Sequence, residues 1–241
     1  MLEERQRLLD LYKGLRTTDV NDAMDVVGRM NLGMMDHDIR PLYRDVENMS
    51  HCFVGFAHTV RFIPTNRPIT AHTPEEMKDF IRHWYREWAG GPKQPIEPGD
   101  VIVIDGTDTE VGFVGSNNGF RWITDGAVGI VTNGAARDTD ELIRQKCPVY
   151  CRRIVPTIRP ARLEFDAEQV TVNCGGVMVR PNDLVVADGD GVIVVPSEIV
   201  EDVARYAQEI ANGDRAGRRK LYEKAGMSFD FTVEPLGNGS A

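Results

Sequence analysis

A chain of 241 residues is long enough to bury a large core, in one domain or in two small ones. Its hydrophobic fraction of 41% and charged fraction of 27% are ordinary for a soluble globular protein. A formal net charge of −9 at pH 7 argues against a nucleic-acid-binding protein, which would carry a basic face, so we expect no nucleic-acid partner.

The cysteines and the N-terminal segment indicate the cellular compartment of the protein. The four cysteines form no CxxC pair, and no cysteine and histidine cluster has zinc spacing. Without a disulfide framework, a reducing compartment is expected. The first 15 residues are charged and amphipathic, unlike a cleavable signal, and no apolar run approaches membrane-spanning length. We therefore expect a cytoplasmic protein with no membrane partner.

Two helices are predicted within residues 1–28. Apolar residues at helical spacing indicate the first over 2–15. Candidate N-caps precede the second, which is predicted over 20–27 and ends at Gly28. A strand is then predicted over 53–62, where apolar and small residues alternate.

Residues 64–95 contain one long predicted helix, 74–89, which has a proline at its first position. Its wide aromatic face consists of Phe80, Trp84 and Trp88. Aromatic residues at helical spacing are more often part of a core or an interface than of a lid over a site. Both interpretations remain open for this segment.

The middle of the chain alternates between strands and helices. The apolar run 101–104 is typical of a strand covered on both faces. A polar, glycine-started turn over 115–118 leads into a helix predicted over 119–125, and backbone N–H groups at such a helix start can bind an anion. The next strand is predicted over 129–132.

The loop after this strand contains Arg137 and Asp138. Loops at strand ends often carry function, since an arginine can bind a carboxylate through two N–H groups and an aspartate can ligate a hard cation. Glu141 lies one turn further and faces the same way on a helix. The structural alternative is that Asp138 caps a helix and that the acidic residues after it interact with the helix dipole.

Short strands crowd the last third of the chain. They are predicted to begin at 148–150 and, after a basic segment, to cover 170–172, 177–179, 184–186 and 191–195. Ser197 caps a final helix over 198–212, and the tail 227–241 is predicted to be loosely ordered. There is no internal repeat, so we predict one domain over 1–241 with strands and helices in layers.

Several familiar catalytic patterns are missing. The sequence has no GxSxG nucleophile elbow, no GxxxxGK phosphate loop, no GxGxxG after a strand and no HExxH. All six lysines lie in polar contexts, which disfavours a Schiff-base aldolase.

A series of motifs runs through most of the chain, at residues 22–24, 55–60, 98–101, 105–106, 126–138, 148–149, 183–188 and 191–196. Together they resemble the RraA-like family. This family comprises the regulator of ribonuclease E activity and the 4-hydroxy-4-methyl-2-oxoglutarate / 4-carboxy-4-hydroxy-2-oxoadipate aldolases. Its aldolase signature has an acidic residue or glycine, twenty residues, Arg-Asp, two residues, and Glu or Asp. Arg137, Asp138 and Glu141 fit it, but its first position falls on Ser116, beside Gly115, so the acidic version is missing.

The resemblance implies an α/β fold, a three-layer β/β/α sandwich of the swivelling, phosphohistidine-like kind with mixed sheets. It implies a homotrimer or homohexamer with its active site between subunits. Residues 64–95 look longer than the corresponding stretch of the family. By resemblance, Asp138 would ligate Mg²⁺ or Mn²⁺ and Arg137 would bind the pyruvyl carboxylate.

The resemblance also places supporting residues around this pair. The amides around four successive residues would bind other substrate oxygens: Gly115, Ser116, Asn117 and Asn118. Glu141, and Glu209 from a neighbouring subunit, are expected as outer-sphere groups of the metal site.

The activity implied by the family is that of a class II, metal-dependent pyruvate aldolase. It would cleave a 4-hydroxy-2-oxo acid to pyruvate and a carbonyl product, with oxaloacetate decarboxylation as a side activity. Two alternatives remain: a non-catalytic regulator that binds a ribonuclease, and a related lyase or hydratase acting on another 2-oxo acid. Some family members have been labelled methyltransferases, but no glycine-rich cofactor loop supports that here.

Overall fold

The computed structural model describes residues 2–237, and its central feature is one large mixed sheet. In chain order the strands are β1 (Arg40–Pro41), β2 (Phe53–Pro64), β3 (Asp100–Asp105), β4 (Gly112–Val114), β5 (Gly129–Ala136), β6 (Val149–Ile154), β7 (Leu163–Glu168), β8 (Val172–Cys174), β9 (Val177–Val179), β10 (Leu184–Asp188) and β11 (Gly191–Val195). The sheet has nine strands in the order β1-β6-β5-β3-β2-β10-β11, with β4 beside β5 and β7 beside β2.

The centre of the sheet is parallel and its outer parts are antiparallel. Strands β2, β3, β5 and β6 run parallel to one another, whereas β1, β7, β10 and β11 pair antiparallel with the strands beside them. Met34 forms an isolated antiparallel bridge with Ile193 of β11, close to where β1 begins, so the sheet curls until it nearly closes. Strands β8 and β9 form a separate hairpin.

Within residues 2–237, six α-helices surround the strands: α1 (Leu2–Leu11), α2 (Thr17–Val26), α3 (Pro74–Glu87), α4 (Ser116–Thr124), α5 (Thr139–Arg144) and α6 (Val200–Ala225). A short 3-10 helix, Ser197–Ile199, precedes α6. Helices α1, α2 and α6 share a core with β10 and β11, while α4 and α5 share another with β3, β5 and β6. In the described part of the chain, no helix combines the length and the apolar character needed to cross a membrane.

Alternating side chains of the central strands fill two different cores. In β3, Ile102 and Ile104 face the core beneath α4 and α5, whereas Val101 and Val103 face the core that contains the β8–β9 hairpin. All four residues are buried, as expected for a strand covered on both faces. The predicted α/β fold, with mixed sheets in β/β/α layers, is confirmed.

Helix α3 forms where the aromatic helix was predicted. The Thr73 hydroxyl accepts a hydrogen bond from the Glu76 N–H, and the Glu76 carboxylate accepts one from the Thr73 N–H, so the first turn is capped from both sides. Trp84 is the one buried residue of this helix, and its indole N–H donates to the Leu163 carbonyl of β7 at 3.0 Å. The helix is therefore attached to the sheet through Trp84.

The strand predicted over 129–132 is longer than expected, because β5 continues to Ala136. Ala135 and Ala136 pair with β4 on one side and with β6 on the other, which local sequence does not reveal. The prediction of a loop over residues 133–136 was therefore wrong. The Asn133 side chain stays in the interior by accepting a hydrogen bond from the Gly106 N–H at 2.7 Å.

The C-terminal helix and the tail also differ from the prediction. Helix α6 continues to Ala225 instead of ending at 212. The described part of the predicted loose tail, 227–237, returns onto this helix: Val233 is buried, and Arg215 of α6 donates to the carbonyls of Phe231 and Glu234. Packing against α6 orders this part, whereas residues 238–241 lie outside the described residues.

Candidate active site

Arg137 and Asp138 directly follow β5. The Arg137 N–H donates to the Val114 carbonyl of β4 at 2.8 Å, which continues the pairing of the two strands by one residue. Asp138 then adopts φ 50 and ψ 43, in the left-handed region. Aspartate and asparagine tolerate this conformation better than most residues. The turn sends the chain from β5 into α5 and leaves the Asp138 side chain beside the start of α4.

Two donors hold the Asp138 carboxylate. Arg137 Nε donates to Oδ1 at 3.2 Å, and the Ser116 N–H donates to Oδ2 at 3.3 Å. The side chains of Arg137 and Asp138 remain 31% and 34% exposed. Although Asp138 occupies the N-cap position of α5, its side chain makes no hydrogen bond to that helix. The carboxylate is thus positioned by neighbours but is still open to a ligand.

Two glycines leave room for the side chains of Arg137 and Asp138. A Cβ atom on Gly112 would lie 2.6 Å from the Thr157 carbonyl oxygen and 3.1 Å from Arg137 Cγ. A Cβ atom on Gly115 would lie 2.7 Å from Asp138 Oδ2. Gly115 has φ −123, so it is the close approach of backbone and side chain that requires glycine, not the backbone conformation.

The predicted turn over 115–118 is the N-terminus of α4. The helix begins at Ser116, three residues earlier than expected, with Gly115 as its N-cap. Asn118 Oδ1 accepts hydrogen bonds from the Gly115 N–H at 2.7 Å and from the Gly119 N–H at 3.0 Å, and its Nδ2 donates to the Phe113 carbonyl at 2.9 Å. The Asn118 side chain is therefore used for holding the backbone in place.

Ser116 and Asn117 differ from Asn118 in this respect. Within residues 2–237 neither side chain is seen in a hydrogen bond; Ser116 is half-buried and Asn117 is exposed. The first N–H groups of a helix have no partner within the helix, and they carry its partial positive charge. The N-terminus of α4 thus offers N–H groups next to a carboxylate and a guanidinium.

The predicted outer-sphere residues are not part of this arrangement within one chain. Glu141 is exposed on α5 and Glu209 is exposed on α6, and neither side chain is bonded to Arg137 or Asp138 in the described structure. Asp138, Glu141 and Glu209 do not form a group whose ligand atoms lie within 4.8 Å of one another. One such group exists among the described residues, Asp36, His37 and Asp38 on the surface.

Sequence reasoning missed Gly112 and Thr157. Gly112 of β4 leaves room for the stem of Arg137, and the Thr157 carbonyl, after β6, approaches the same glycine. The spacing of Gly112 and Gly115 around two apolar residues was the available signal for Gly112. Thr157 contributes a main-chain carbonyl, for which residue type gives no signal.

Sequence comparison relates the chain to known proteins. The RraA-like family, described as Aldolase/RraA, matches residues 17–194. A protein of Deinococcus radiodurans is 35% identical over 183 residues, which cover 76% of this chain and 95% of that protein. A protein of Halalkalibacterium halodurans is 36% identical over 126 residues, which cover 52% of this chain and 59% of that protein. Both carry the name "Putative 4-hydroxy-4-methyl-2-oxoglutarate aldolase".

The fold is also similar to that of solved structures. Streptomyces coelicolor RraAS2, described as an unusual member of the RNase ES inhibitor RraA protein family, superposes with a TM-score of 0.62 at 22% sequence identity. The match covers 91% of this chain and 94% of that structure. At this identity the likeness concerns the fold alone.

Proposed function

This chain belongs to the RraA-like family, and on that premise we propose that it is a divalent-metal-dependent lyase. Its substrate is a 4-hydroxy-2-oxo acid, which it cleaves to pyruvate and a carbonyl product. The observation that carries this proposal is the adjacent placement of the Arg137 guanidinium and the Asp138 carboxylate, both one-third exposed, at the N-terminus of α4. A cation ligand and a carboxylate-binding group lie there side by side.

The residues present suit Mg²⁺ or Mn²⁺, and Asp138 would hold the ion. Carboxylate oxygens are hard ligands, and Mg²⁺ typically binds through one or two carboxylates while water and substrate oxygens complete its coordination. The Asp138 carboxylate has two weak protein donors and open space, so it can serve as such a ligand. A bound ion would supply Lewis-acid stabilisation of the negative charge that develops on the 2-oxo group, typically worth several kcal/mol.

Arg137 binds and orients the substrate. Its Nε is occupied by Asp138, whereas its two terminal nitrogens have no partner in the described structure. A guanidinium binds a carboxylate through parallel hydrogen bonds, which fix direction as well as distance. Holding the pyruvyl carboxylate in this way places the rest of the substrate beside Asp138 and the start of α4.

The N-terminus of α4 provides a second set of donors. The Ser116 N–H at its start donates to Asp138 Oδ2, so the first turn of α4 lies beside this carboxylate. The N–H groups of this turn that have no partner within the helix, around Asn117, can donate to the other substrate oxygens, and a helix N-terminus favours negative charge. The Asn118 side chain keeps this turn in place, and its backbone N–H belongs to the same set of donors.

The reaction breaks the bond between C3 and C4. The 4-hydroxyl group loses its proton to a water molecule beside Asp138, the C4 oxygen becomes a carbonyl, and the bonding electrons pass to the pyruvyl fragment as an enolate. Protonation at C3 then gives pyruvate. Loss of CO₂ from oxaloacetate leaves the same enolate, so oxaloacetate decarboxylation is the expected side activity.

We propose that the site is completed between subunits of a homotrimer or homohexamer. The exposed position of Glu209 on α6 leaves its carboxylate available to a neighbouring copy. Glu141, exposed on α5, is the proposed outer-sphere acid from the same chain as Asp138. An inter-subunit site agrees with the finding that one chain does not bring these acids together with Asp138.

The test is to incubate the purified protein with Mg²⁺ or Mn²⁺ and either 4-hydroxy-4-methyl-2-oxoglutarate or oxaloacetate. Pyruvate is followed through NADH oxidation by added lactate dehydrogenase. We expect pyruvate release that a chelator abolishes and that added metal restores. A protein that is folded and metal-loaded, yet releases no pyruvate from either acid, would not be this lyase.

A further inference from the structure

A large cavity lies in a different part of the molecule from Arg137 and Asp138. It lies between the α1–α2 corner, the start of β2, the β10–β11 turn, and the C-terminal half of α6 with the tail that returns onto it. Its volume is about 940 Å³, which is in the range of small-molecule binding sites. None of the residues assigned above to the lyase site lines it.

One wall of this cavity is apolar. It is formed by buried or half-buried side chains of α1 and the α1–α2 corner, of β2 and of β10, among them Leu9, Tyr12, Leu15, Phe53, Val54 and Val186. On the opposite side, Tyr222 of α6 and Phe231 of the tail complete the lining. A ligand would therefore place an apolar body against the sheet and the first helix.

The lining is also rich in cations, although the chain as a whole is acidic. Five cationic side chains line it (Lys13, Arg16, Arg44, Arg215 and Arg218), compared with three aspartates (Asp10, Asp188 and Asp190). Asp188 is already engaged, because its carboxylate accepts hydrogen bonds from the Thr17 N–H at 2.8 Å and the Thr17 hydroxyl at 2.7 Å. Arg16 is paired with Asp19 and Asp214.

The other three arginines have no carboxylate partner among residues 2–237. Arg215 and Arg218 donate only to main-chain carbonyls, such as that of Gly14 at 2.9 Å. Burial, together with the neighbouring Arg16 and Arg218, lowers the pKa of Arg215. The Arg44 guanidinium packs directly against Gly189, where a Cβ atom would lie 2.6 Å from Nε. Arg44 therefore fits here because residue 189 is a glycine and has no side chain.

A buried neutral donor lies in the same wall. His51 is 2% exposed, and its Nδ1 accepts a hydrogen bond from the Asp45 N–H at 3.2 Å. This bond assigns the ring proton to Nε2, next to Cys52 Sγ at 3.6 Å. Burial and the charge of Arg44 lower the pKa of His51, which favours the neutral ring that accepts at Nδ1. Asp188, which lines the cavity, and Asp45, which does not, offset part of that effect.

We propose that this cavity binds an amphipathic organic anion, a medium-chain carboxylate with an apolar body. The carboxylate lies against Arg44, which pairs with no carboxylate of residues 2–237, and the apolar body lies against the wall formed by α1, the α1–α2 corner, β2 and β10. Such a ligand matches both halves of the lining, since an unpaired guanidinium favours an anion and the apolar wall favours burial of a hydrocarbon chain. The proposal does not depend on the lyase function.

Decanoate is the probe, and binding is measured by isothermal titration calorimetry on the full chain below the micellar concentration. We expect saturable binding with one decanoate per chain, and at least tenfold weaker binding of decanol. The variant Arg44→Met keeps the apolar stem but removes the charge, and should weaken decanoate binding at least tenfold. Arg29→Met is the matched control, since Arg29 is exposed and lies outside the cavity, and it should bind as the wild type does.

Two further measurements keep the proposal falsifiable. Arg218→Met is a second charge-removing variant in case Arg44→Met fails to fold, which circular dichroism would show.

Cys52 lines the cavity, whereas the other three cysteines are buried, and burial raises the pKa of Cys52 to about 11. Slow alkylation of Cys52, followed by peptide mass spectrometry, should become slower still in saturating decanoate. Equal binding of decanol and decanoate, no binding at all, or an unchanged alkylation rate would overturn the proposal.

Discussion

The backbone of Gly115 lies directly against the carboxylate of Asp138, since a methyl group on Gly115 would come within 2.7 Å of Oδ2. The same carboxylate accepts a hydrogen bond from the Ser116 N–H. The loop before α4 and the turn after β5 therefore fit together at one point, and a change in either one moves the candidate metal ligand.

Gly115→Ala should impair activity more than stability. The new methyl group meets the end of a flexible, partly exposed side chain, so Asp138 can turn away at little cost to the fold. A misplaced ligand is expected to lower kcat/KM by about 100-fold. Pyruvate release and the free energy of unfolding in urea measure the two effects.

Gly213→Ala provides the matched control for that experiment. Gly213 lies within α6 with no atom near the position of a new Cβ, so alanine should stabilise the protein by about 0.5–1 kcal/mol and leave turnover unchanged. If Gly115→Ala kept full activity, the contact with Asp138 would have no role in the reaction.

Arg137→Lys and Asp138→Asn test the two charged groups without disturbing the backbone. Lysine keeps the positive charge but loses the planar pair of donors, and asparagine tolerates the left-handed conformation of residue 138 while losing the negative charge. Each should lower kcat/KM by about 100-fold or more, as expected when substrate orientation is lost.

Metal binding separates the roles of the two residues. Asp138→Asn should weaken Mn²⁺ binding in a titration followed by electron paramagnetic resonance, whereas Arg137→Lys should leave it close to that of the wild type. The assignment of Asp138 as metal ligand fails if Asp138→Asn binds Mn²⁺ with unchanged affinity.

Sequence patterns predicted most of the helices, strands and site residues that are determined by neighbouring residues along the chain. The apolar run 101–104 and the proline-started helix near 74–89 are examples, and both appear within two residues of the predicted bounds. The pairing of Arg137 with Asp138 after a buried strand was also visible in the sequence. Apolar periodicity and residue type suffice for such features because contacts along the chain determine them.

Features that depend on distant residues were missed. Residues 133–136 look like a loop because small residues dominate, yet they form a strand since β4 and β6 pair with them on both sides. Helix α6 passes through Gly213 and Gly217, two residues that weaken helices. Its buried residues Ala207 and Ala211 pack in the core with α2, and the returning tail covers its second half. Tertiary packing therefore overrides the local preference.

Asn118→Ala should destabilise the protein through the start of α4. The side chain accepts from the Gly115 N–H and donates to the Phe113 carbonyl, so its removal leaves main-chain groups of a part-buried turn without partners. The expected loss is about 1 kcal/mol in the free energy of unfolding. Asn117→Ala is the control, because Asn117 is exposed and its side chain makes no hydrogen bond in the described structure. Equal stability of the two variants would show that the Asn118 side chain does not stabilise the start of α4.

The pH dependence of stability should depend on Asp100. Burial alone would raise the pKa of this carboxyl group, but hydrogen bonds from His58, from the Glu97 N–H and from Arg5 hold the pKa below its usual range. A lowered pKa in the folded state contributes stability above the unfolded pKa of about 3.9. That stability is lost as the pH falls through the lower pKa of the folded state.

Unfolding by urea, measured from pH 7 down to pH 2.5, checks this contribution. Asp100→Asn should be less stable than the wild type near pH 7, and the difference should shrink below about pH 4. As the pH falls, the wild-type carboxyl group is protonated first in the unfolded state and then, at lower pH, in the folded state. Asp22→Asn is the matched control, since Asp22 is exposed and its side chain makes no hydrogen bond within the described residues. A difference between wild type and Asp100→Asn that stays constant down to pH 2.5 would mean that the ionised carboxylate of Asp100 does not stabilise the fold.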